Sequence, residues 1–156
     1  MNRTGLLPLE GLPHPDAAGI QFALQQVQRF VGVPYLWGGC TPFGYDCSGL
    51  AQTFWRFLGV SIPRDADQQC QVGMHVEGVP QPGDLLFFGE PDQDAPRGGP
   101  DRFAAISHVA ISLGGDEFIH ANGTTWSVAY NSLNPESPIY RAWLREHLIE
   151  VCRYTG

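Results

Sequence analysis

Basic clusters are what this 156-residue chain most lacks: nine Lys and Arg are scattered against sixteen Asp and Glu, leaving a net charge of −7. Nucleic acid and anionic membranes are recruited through clustered cations, so neither is an expected partner. A cationic or zwitterionic ligand suits the charge better. Nothing in the chain approaches the run of about 20 apolar residues that crosses a bilayer. The apolar stretch behind Arg3 is broken by Pro8, Glu10, Pro13 and Pro15, so it offers no uninterrupted centre for a secretory signal. The expectation is a cytoplasmic protein, or a secreted or periplasmic one if a leader has been removed.

Paired metal-ligand motifs are missing as well. Cys40, Cys47, Cys70 and Cys152 form neither a Cys-x-x-Cys pair nor a dense disulfide scaffold, and the five His include no His-Glu-x-x-His. No metal and no other cofactor is expected. Ser48 lacks the Gly-x-Ser-x-Gly elbow of a serine hydrolase. What is present is 43% apolar content, enough for one core without staples. The chain divides into an irregular arm over 1–15 and a single domain over 16–156.

Within that domain, Asp16 reads as a helix cap, and Ile20, Leu24, Val27 and Val31 recur at helical spacing, which predicts a helix over 17–30. A second helix is expected over 47–58, with Leu50, Phe54, Phe57 and Leu58 inward and Gly59 ending it. Asp65 starts a third, short helix through Gln69. Short strands then follow at 84–88, 107–113, 117–121, 127–131 and 148–154. Helices first and sheet second gives an α+β fold, with N-terminal helices packed on an antiparallel sheet of five to six strands. The segment 89–101 holds three Pro, three Gly and four acidic residues and reads as a mobile loop edging the site.

Cys47 opens the second helix behind a loop rich in Gly and aromatics. A helix N-terminus favours the thiolate, and its amides can hold an acyl-transfer oxyanion. Asp46 opposes thiolate formation, so it is expected to point away towards ligand and to leave activation of the thiol to a histidine. His108 and His120 lie on successive strands and must share a face to touch. A two-residue loop at Gly114-Gly115 would send them to opposite faces. A three-residue loop, Leu113 to Gly115, or an equivalent bulge, pairs 108 directly with 120 and gathers Val109, Ile111 and Ile119 on the other face. In that arrangement His108 takes the proton of Cys47 and donates from its far nitrogen to His120. His14, His75 and His147 are read as structural residues.

The segments Phe30-Val31-Gly32-Val33-Pro34-Tyr35-Leu36-Trp37-Gly38-Gly39, Asp46-Cys47-Ser48-Gly49, Pro63-Arg64, Gln69, Pro82-Gly83-Asp84-Leu85, His108-Val109 and Phe118-Ile119-His120-Ala121 together resemble the NlpC superfamily of bacterial cell-wall cysteine peptidases. The resemblance covers about residues 17–154 and implies a papain-like α+β fold that cleaves peptidoglycan stem peptides after a γ-linked D-glutamyl residue. It implies Cys47 as nucleophile, His108 as base and His120 as orienting residue. Tyr35, Trp37, Asp46, Ser48, Arg64 and Asp65 are the substrate-binding set it implies. Asp65, following Pro-Arg, is similar to the branch acting on trimmed muropeptides with a free N-terminal L-Ala, where it helps hold the amine; Asp46 and Asp65 together are the expected carboxylate pair for that ammonium. That branch has Ser where Ala66 stands here, and an N-terminal SH3-like domain closes its cleft. Without that domain the expectation is either a more open cleft or one closed by a partner chain or a second copy. The expected partners are peptidoglycan-derived peptides. Two alternatives stand beside this reading: a lysin or effector attacking intact wall, and a non-catalytic wall-peptide binding module.

Overall fold

Asp16 caps the first helix, α1 (Ala17–Gln28), by accepting the Gly19 amide at 2.8 Å. The computed structural model describes residues 15–90 and 105–155; the N-terminal arm up to residue 14, His14 included, and most of the 89–101 loop lie outside them. A small hairpin of β1 (Cys40–Thr41) and β2 (Gly44–Tyr45) follows, and then α2 (Cys47–Arg56). Both long helices stop two residues before the sequence expectation. Their ends tighten into i→i+3 bonds, Phe30 N to Val27 O in one and Leu58 N to Trp55 O in the other, each at 3.0 Å. Gly59 then takes φ +72°, the left-handed stop expected of it.

After α3 (Ala66–Val72) come β3 (Met74–His75), β4 (Leu85–Gly89), β5 (Ile106–Gly114), β6 (Glu117–Asn122), β7 (Ser127–Ser132), α4 (Ala142–Glu146) and β8 (Leu148–Arg153). Six of these strands form one sheet in the order β3-β8-β4-β5-β6-β7, with each neighbouring pair antiparallel. The run Leu85-Leu86-Phe87-Phe88 has no alternation because β4 is central and covered on both faces. Leu85 and Phe87 join Leu24, Val27, Leu50 and Phe54 in the core beneath α1 and α2, while Leu86 and Phe88 join Phe118, Leu144 and Val151 on the α4 side. Five helical residues in α4, and two residues in each of β1, β2 and β3, are too short to leave a periodic signal. Asp84 is buried, and Arg153 forks onto it from β8 at 2.7 and 2.8 Å, which fixes the start of β4.

The β5–β6 hairpin departs from the expected register. Gly114 pairs with Glu117, so only Gly115 and Asp116 form the loop, and a bulge falls between Ser112 and Gly114. Gly114 and Gly115 take φ +106° and +63°, a region that glycine enters at little cost and residues with a Cβ do not. Ile111 then lies opposite Ile119, which puts His120 across from Ala110 and diagonal to His108 rather than directly paired with it. The bulge restores the parity that a two-residue loop alone would break. The imidazoles share a face, and Val109, Ile111 and Ile119 pack in the core on the other. Among the described residues no helix is long and apolar enough to cross a membrane.

Candidate active site

Asp46 caps α2: its Oδ1 accepts the Gly49 amide at 2.7 Å, and Oδ2 accepts the Gly38 amide at 2.9 Å. Arg64 forks onto the same carboxylate, Nη1 to Oδ1 at 3.1 Å and Nη2 to Oδ2 at 2.5 Å, and Nη1 also donates to Ser48 Oγ at 2.7 Å. This corrects the expectation that Asp46 points away towards ligand. A carboxylate only 7% exposed needs charge-assisted partners, and Arg64 together with two backbone amides supplies them. Gln69, fully buried, donates to Ser48 O at 3.1 Å and Pro63 O at 2.9 Å, tying the first turn of α2 to the segment that carries Arg64. These bonds hold Cys47 in place from both sides.

Gly49 lets the loop before α2 approach the helix: a Cβ there would lie 2.2 Å from Gly39 O and 3.0 Å from Asp46 Oδ1. Gly49→Ala is therefore expected to lower stability by about 1–3 kcal/mol, the usual cost of overpacking. Urea melts of the two proteins check this; equal midpoints would contradict it.

The Cys47 thiol is partly buried at the start of α2. Burial pushes its pKa up and Asp46 adds to the effect, while backbone amides of Val109, Ser48 and Cys47 itself pull the other way. Burial wins, so the resting sulfur is a thiol. The helix dipole alone does not make a thiolate here. Val109 follows His108 in β5, so the sulfur lies against the strand that carries the base, but no direct Cys47–His108 hydrogen bond forms among the described residues. A neutral thiol is a weak donor, and such bonds tighten when substrate arrives.

From His108 runs a chain of polar contacts. His108 Nε2 lies 2.7 Å from His120 Nδ1, and His120 Nε2 lies 2.8 Å from Asn131 Oδ1. Asn131 Nδ2 donates to Ile139 O at 2.8 Å, which identifies Oδ1 as the acceptor facing His120. The proton assignments follow from that end. His120 carries its proton on Nε2 and accepts on Nδ1; His108 donates from Nε2 and keeps Nδ1 bare. Asn122 Nδ2 also lies 3.2 Å from His120 Nε2, but with the proton on that nitrogen it donates to Ser127 O instead. Asn131 and Asn122 were not singled out from the sequence, because only the β6–β7 register reveals that they meet His120.

Burial lowers the His108 pKa well below the usual imidazole value, and His120 adds to the depression. His120 falls from 6.5 to about 4, mainly through burial; Arg141 pushes in the same direction and the Asn131 bond opposes it. The folded chain therefore takes up the His120 proton only near pH 4, whereas the unfolded chain takes it up near 6.5. Stability should fall as pH drops through that window and stay level above it, by roughly 3 kcal/mol for this residue. Urea melts at pH 7 and pH 4.5 check this, because His120→Gln should flatten the slope between them. An unchanged slope would contradict it.

A cleft of about 480 Å³ opens beside the sulfur, lined by Tyr35, Trp37, Asp46, Cys47, Ser48, Arg64 and Asp65. It brings together all six residues of the expected binding set around Cys47. Trp37 is 88% exposed at the rim. Burial raises the Tyr35 pKa, with Cys47 and Asp46 adding to the rise, so its hydroxyl stays a donor. Asp65 occupies the cap position of α3 but makes no capping bond, which leaves its exposed carboxylate facing solvent. Asp67 also lines the cleft, a position the sequence reading passed over. His75 contacts Glu150, and His147 bonds Trp143 O at 2.7 Å, both away from the cleft. Cys70 and Cys152 lie buried with sulfurs 3.7 Å apart. Among the described residues no group of three or more His, Cys, Asp or Glu is arranged to hold a metal ion.

The family model that matches, the NlpC/P60 family, spans residues 32–147. A gamma-D-glutamyl-L-lysine dipeptidyl-peptidase of Bacillus subtilis is 40% identical over 103 residues, covering 64% of this chain and 31% of that protein. A probable endopeptidase of Mycobacterium bovis is 32% identical over 143 residues, covering 86% and 32%. The chain thus spans about a third of the length of these relatives. Among solved structures, an NlpC/P60 family protein from Bacillus cereus superposes with a TM-score of 0.73 at 31% identity, over 93% of this chain and 42% of that one. The NlpC/p60 domain of peptidoglycan hydrolase SagA gives 0.60 at 33% identity, over 73% and 89%. Helices on an antiparallel sheet, with a cysteine opening a helix beside a histidine strand, are the papain-like arrangement of these domains, and the chain belongs to the NlpC/P60 family.

Proposed function

We propose that this chain is a cysteine endopeptidase that hydrolyses peptidoglycan stem peptides between γ-D-Glu and the diamino acid, on fragments with a free N-terminal L-Ala. The cleft carries the reading. It sets the Cys47 sulfur beside a hydroxyl donor at Tyr35 and a carboxylate at Asp65 that caps no helix amide. Asp46 is engaged by Arg64, which leaves Asp65, with Asp67 on the same cleft, to receive an ammonium. The name of the Bacillus subtilis relative points to the same bond.

In this mechanism Cys47 gives its proton to the bare Nδ1 of His108 as the sulfur attacks the γ-carbonyl carbon of D-Glu. Backbone N–H groups at the start of α2 hold the oxyanion. Collapse breaks the amide bond, His108 returns the proton to the leaving amine, and a thioester remains on Cys47. Water, deprotonated by His108, then releases L-Ala-γ-D-Glu and restores the thiol. His120 and Asn131 act through His108 by holding its tautomer.

Turnover of the tripeptide with a free and an acetylated N-terminus, followed by mass spectrometry, tests the reading. Acetylation is expected to lower kcat/KM by about tenfold or more, the scale of one charge-assisted contact. Equal rates would overturn amine recognition. Absence of L-Ala-γ-D-Glu among the products would overturn the assigned bond.

A further inference from the structure

Two sulfurs meet where the helix that edges the Cys47 cleft packs on the sheet. Cys70 lies in α3 and Cys152 in β8, 82 residues apart in the chain, yet their Sγ atoms are 3.7 Å apart. Cys152 Sγ also reaches the Cys70 carbonyl at 3.6 Å, so it sits against the backbone of α3 as well as against the side chain. Cys70 is 2% exposed and Cys152 1%. Gly73 permits the close approach, since a Cβ there would fall 2.6 Å from Cys152 Cβ.

The pair is tied to the site. The start of α3 supplies Asp65, Ala66 and Asp67 to the cleft. Gln69, the residue before Cys70, donates to Ser48 O and Pro63 O, and its own carbonyl accepts the Tyr154 hydroxyl from the chain just after β8. Burial raises the Tyr154 pKa and both sulfurs add to the rise, which places that phenol beside the pair.

We infer that Cys70 and Cys152 are a disulfide-forming pair, a redox staple that joins the helix at the cleft rim to the last strand of the sheet. Nothing in it depends on the substrate proposed above. Its oxidant is a low-molecular-weight disulfide such as oxidised glutathione. One thiolate of the pair attacks a glutathione sulfur, the glutathione S–S bond breaks and one glutathione leaves; the second protein sulfur then attacks the mixed disulfide and releases the other. Two electrons pass from the protein sulfurs to glutathione, and the two thiol protons end on the released glutathione thiols. A bond of about 2.05 Å requires the sulfurs to close by under about 2 Å, a distance that side-chain rotation covers. Access comes through β3, a two-residue strand at the edge of the sheet in which His75 lies opposite Cys152. Short edges of this kind open locally without global unfolding. Once formed, the crosslink spans 82 positions of the chain and restrains its unfolded state, and in the folded state it holds Gln69 and with it the first turn of α2.

Folded wild type is equilibrated at rising ratios of oxidised to reduced glutathione, quenched with acid and alkylated in denaturant, and its peptides are mapped without reduction by mass spectrometry. The expected result is a Cys70–Cys152 crosslink that grows with the ratio and is reversed by dithiothreitol. Alkylation of both thiols at every ratio, glutathione adducts that never resolve into the crosslink, or pairing of either residue with Cys40 or Cys47 overturns the inference. Urea melts then compare the oxidised and reduced forms. The unfolding constant should be about 100-fold smaller when the pair is oxidised, and Cys152→Ala should show no such difference between the two conditions. Cys70→Ala gives the same control if Cys152→Ala does not fold. Equal midpoints for crosslinked and reduced wild type, or a difference that persists in the variant, overturn the staple.

Discussion

Cys47→Ala should leave no measurable release of L-Ala-γ-D-Glu from a free tripeptide, a loss of at least about 10⁴-fold in kcat, because losing a nucleophile takes away the whole acyl-transfer route. The fold should survive. Cys47 is partly buried, and the first turn of α2 is held by Asp46, Arg64 and Gln69 rather than by the sulfur. A circular dichroism spectrum and melting temperature close to the wild type should therefore accompany the loss of product. Undiminished cleavage by a folded Cys47→Ala protein would remove the nucleophile assignment.

His108→Gln should come next in size, with kcat/KM down by roughly 10²–10⁴, the usual range for a general acid–base group. The resting thiol has a raised pKa and the imidazole a lowered one, so the two do not form an ion pair before substrate binds. Without the imidazole, the sulfur has no acceptor for its proton at neutral pH. The pH profile carries the same signature. His108 works as a base only when neutral, and its depressed pKa keeps it neutral well below 6.5, so the acid limb of kcat/KM should lie below that value. In His108→Gln that limb should vanish, and residual activity should rise towards alkaline pH as the thiolate forms. A wild-type limb at or above 6.5 would contradict this electrostatic picture.

Much of the frame was legible because local chemistry wrote it. Asp16 and Gly59 bracket the helical region as expected from capping and left-handed backbone, and the apolar run at β4 marks a central strand. Cys47 at a helix start was readable from the helical spacing that follows it. The reach of His108 to His120 was legible only as parity. Its register depends on a bulge near Leu113, and bulges are set by twist and packing that spacing does not encode.

The polar partners were harder still. Arg64 lies eighteen residues from Asp46, and charge alone could not say whether that carboxylate would face a ligand or an arginine. Burial decided it. Asp65 shows the reverse case: its position suggested a cap, but no amide of α3 uses its side chain. Asn131 reaches His120 across β6 and β7, and an asparagine on a strand carries no sign of that contact until the strands are paired.

The central claim is that the Cys47 sulfur forms a thioester with the γ-carboxyl carbon of D-Glu. Running tripeptide cleavage in hydroxylamine and weighing the products measures it directly, since a thioester partitions between water and the added nucleophile. The account predicts the γ-hydroxamate of L-Ala-D-Glu beside the free diamino acid, and none from Cys47→Ala. Cleavage by the wild type that yields only the acid at every hydroxylamine concentration would contradict it.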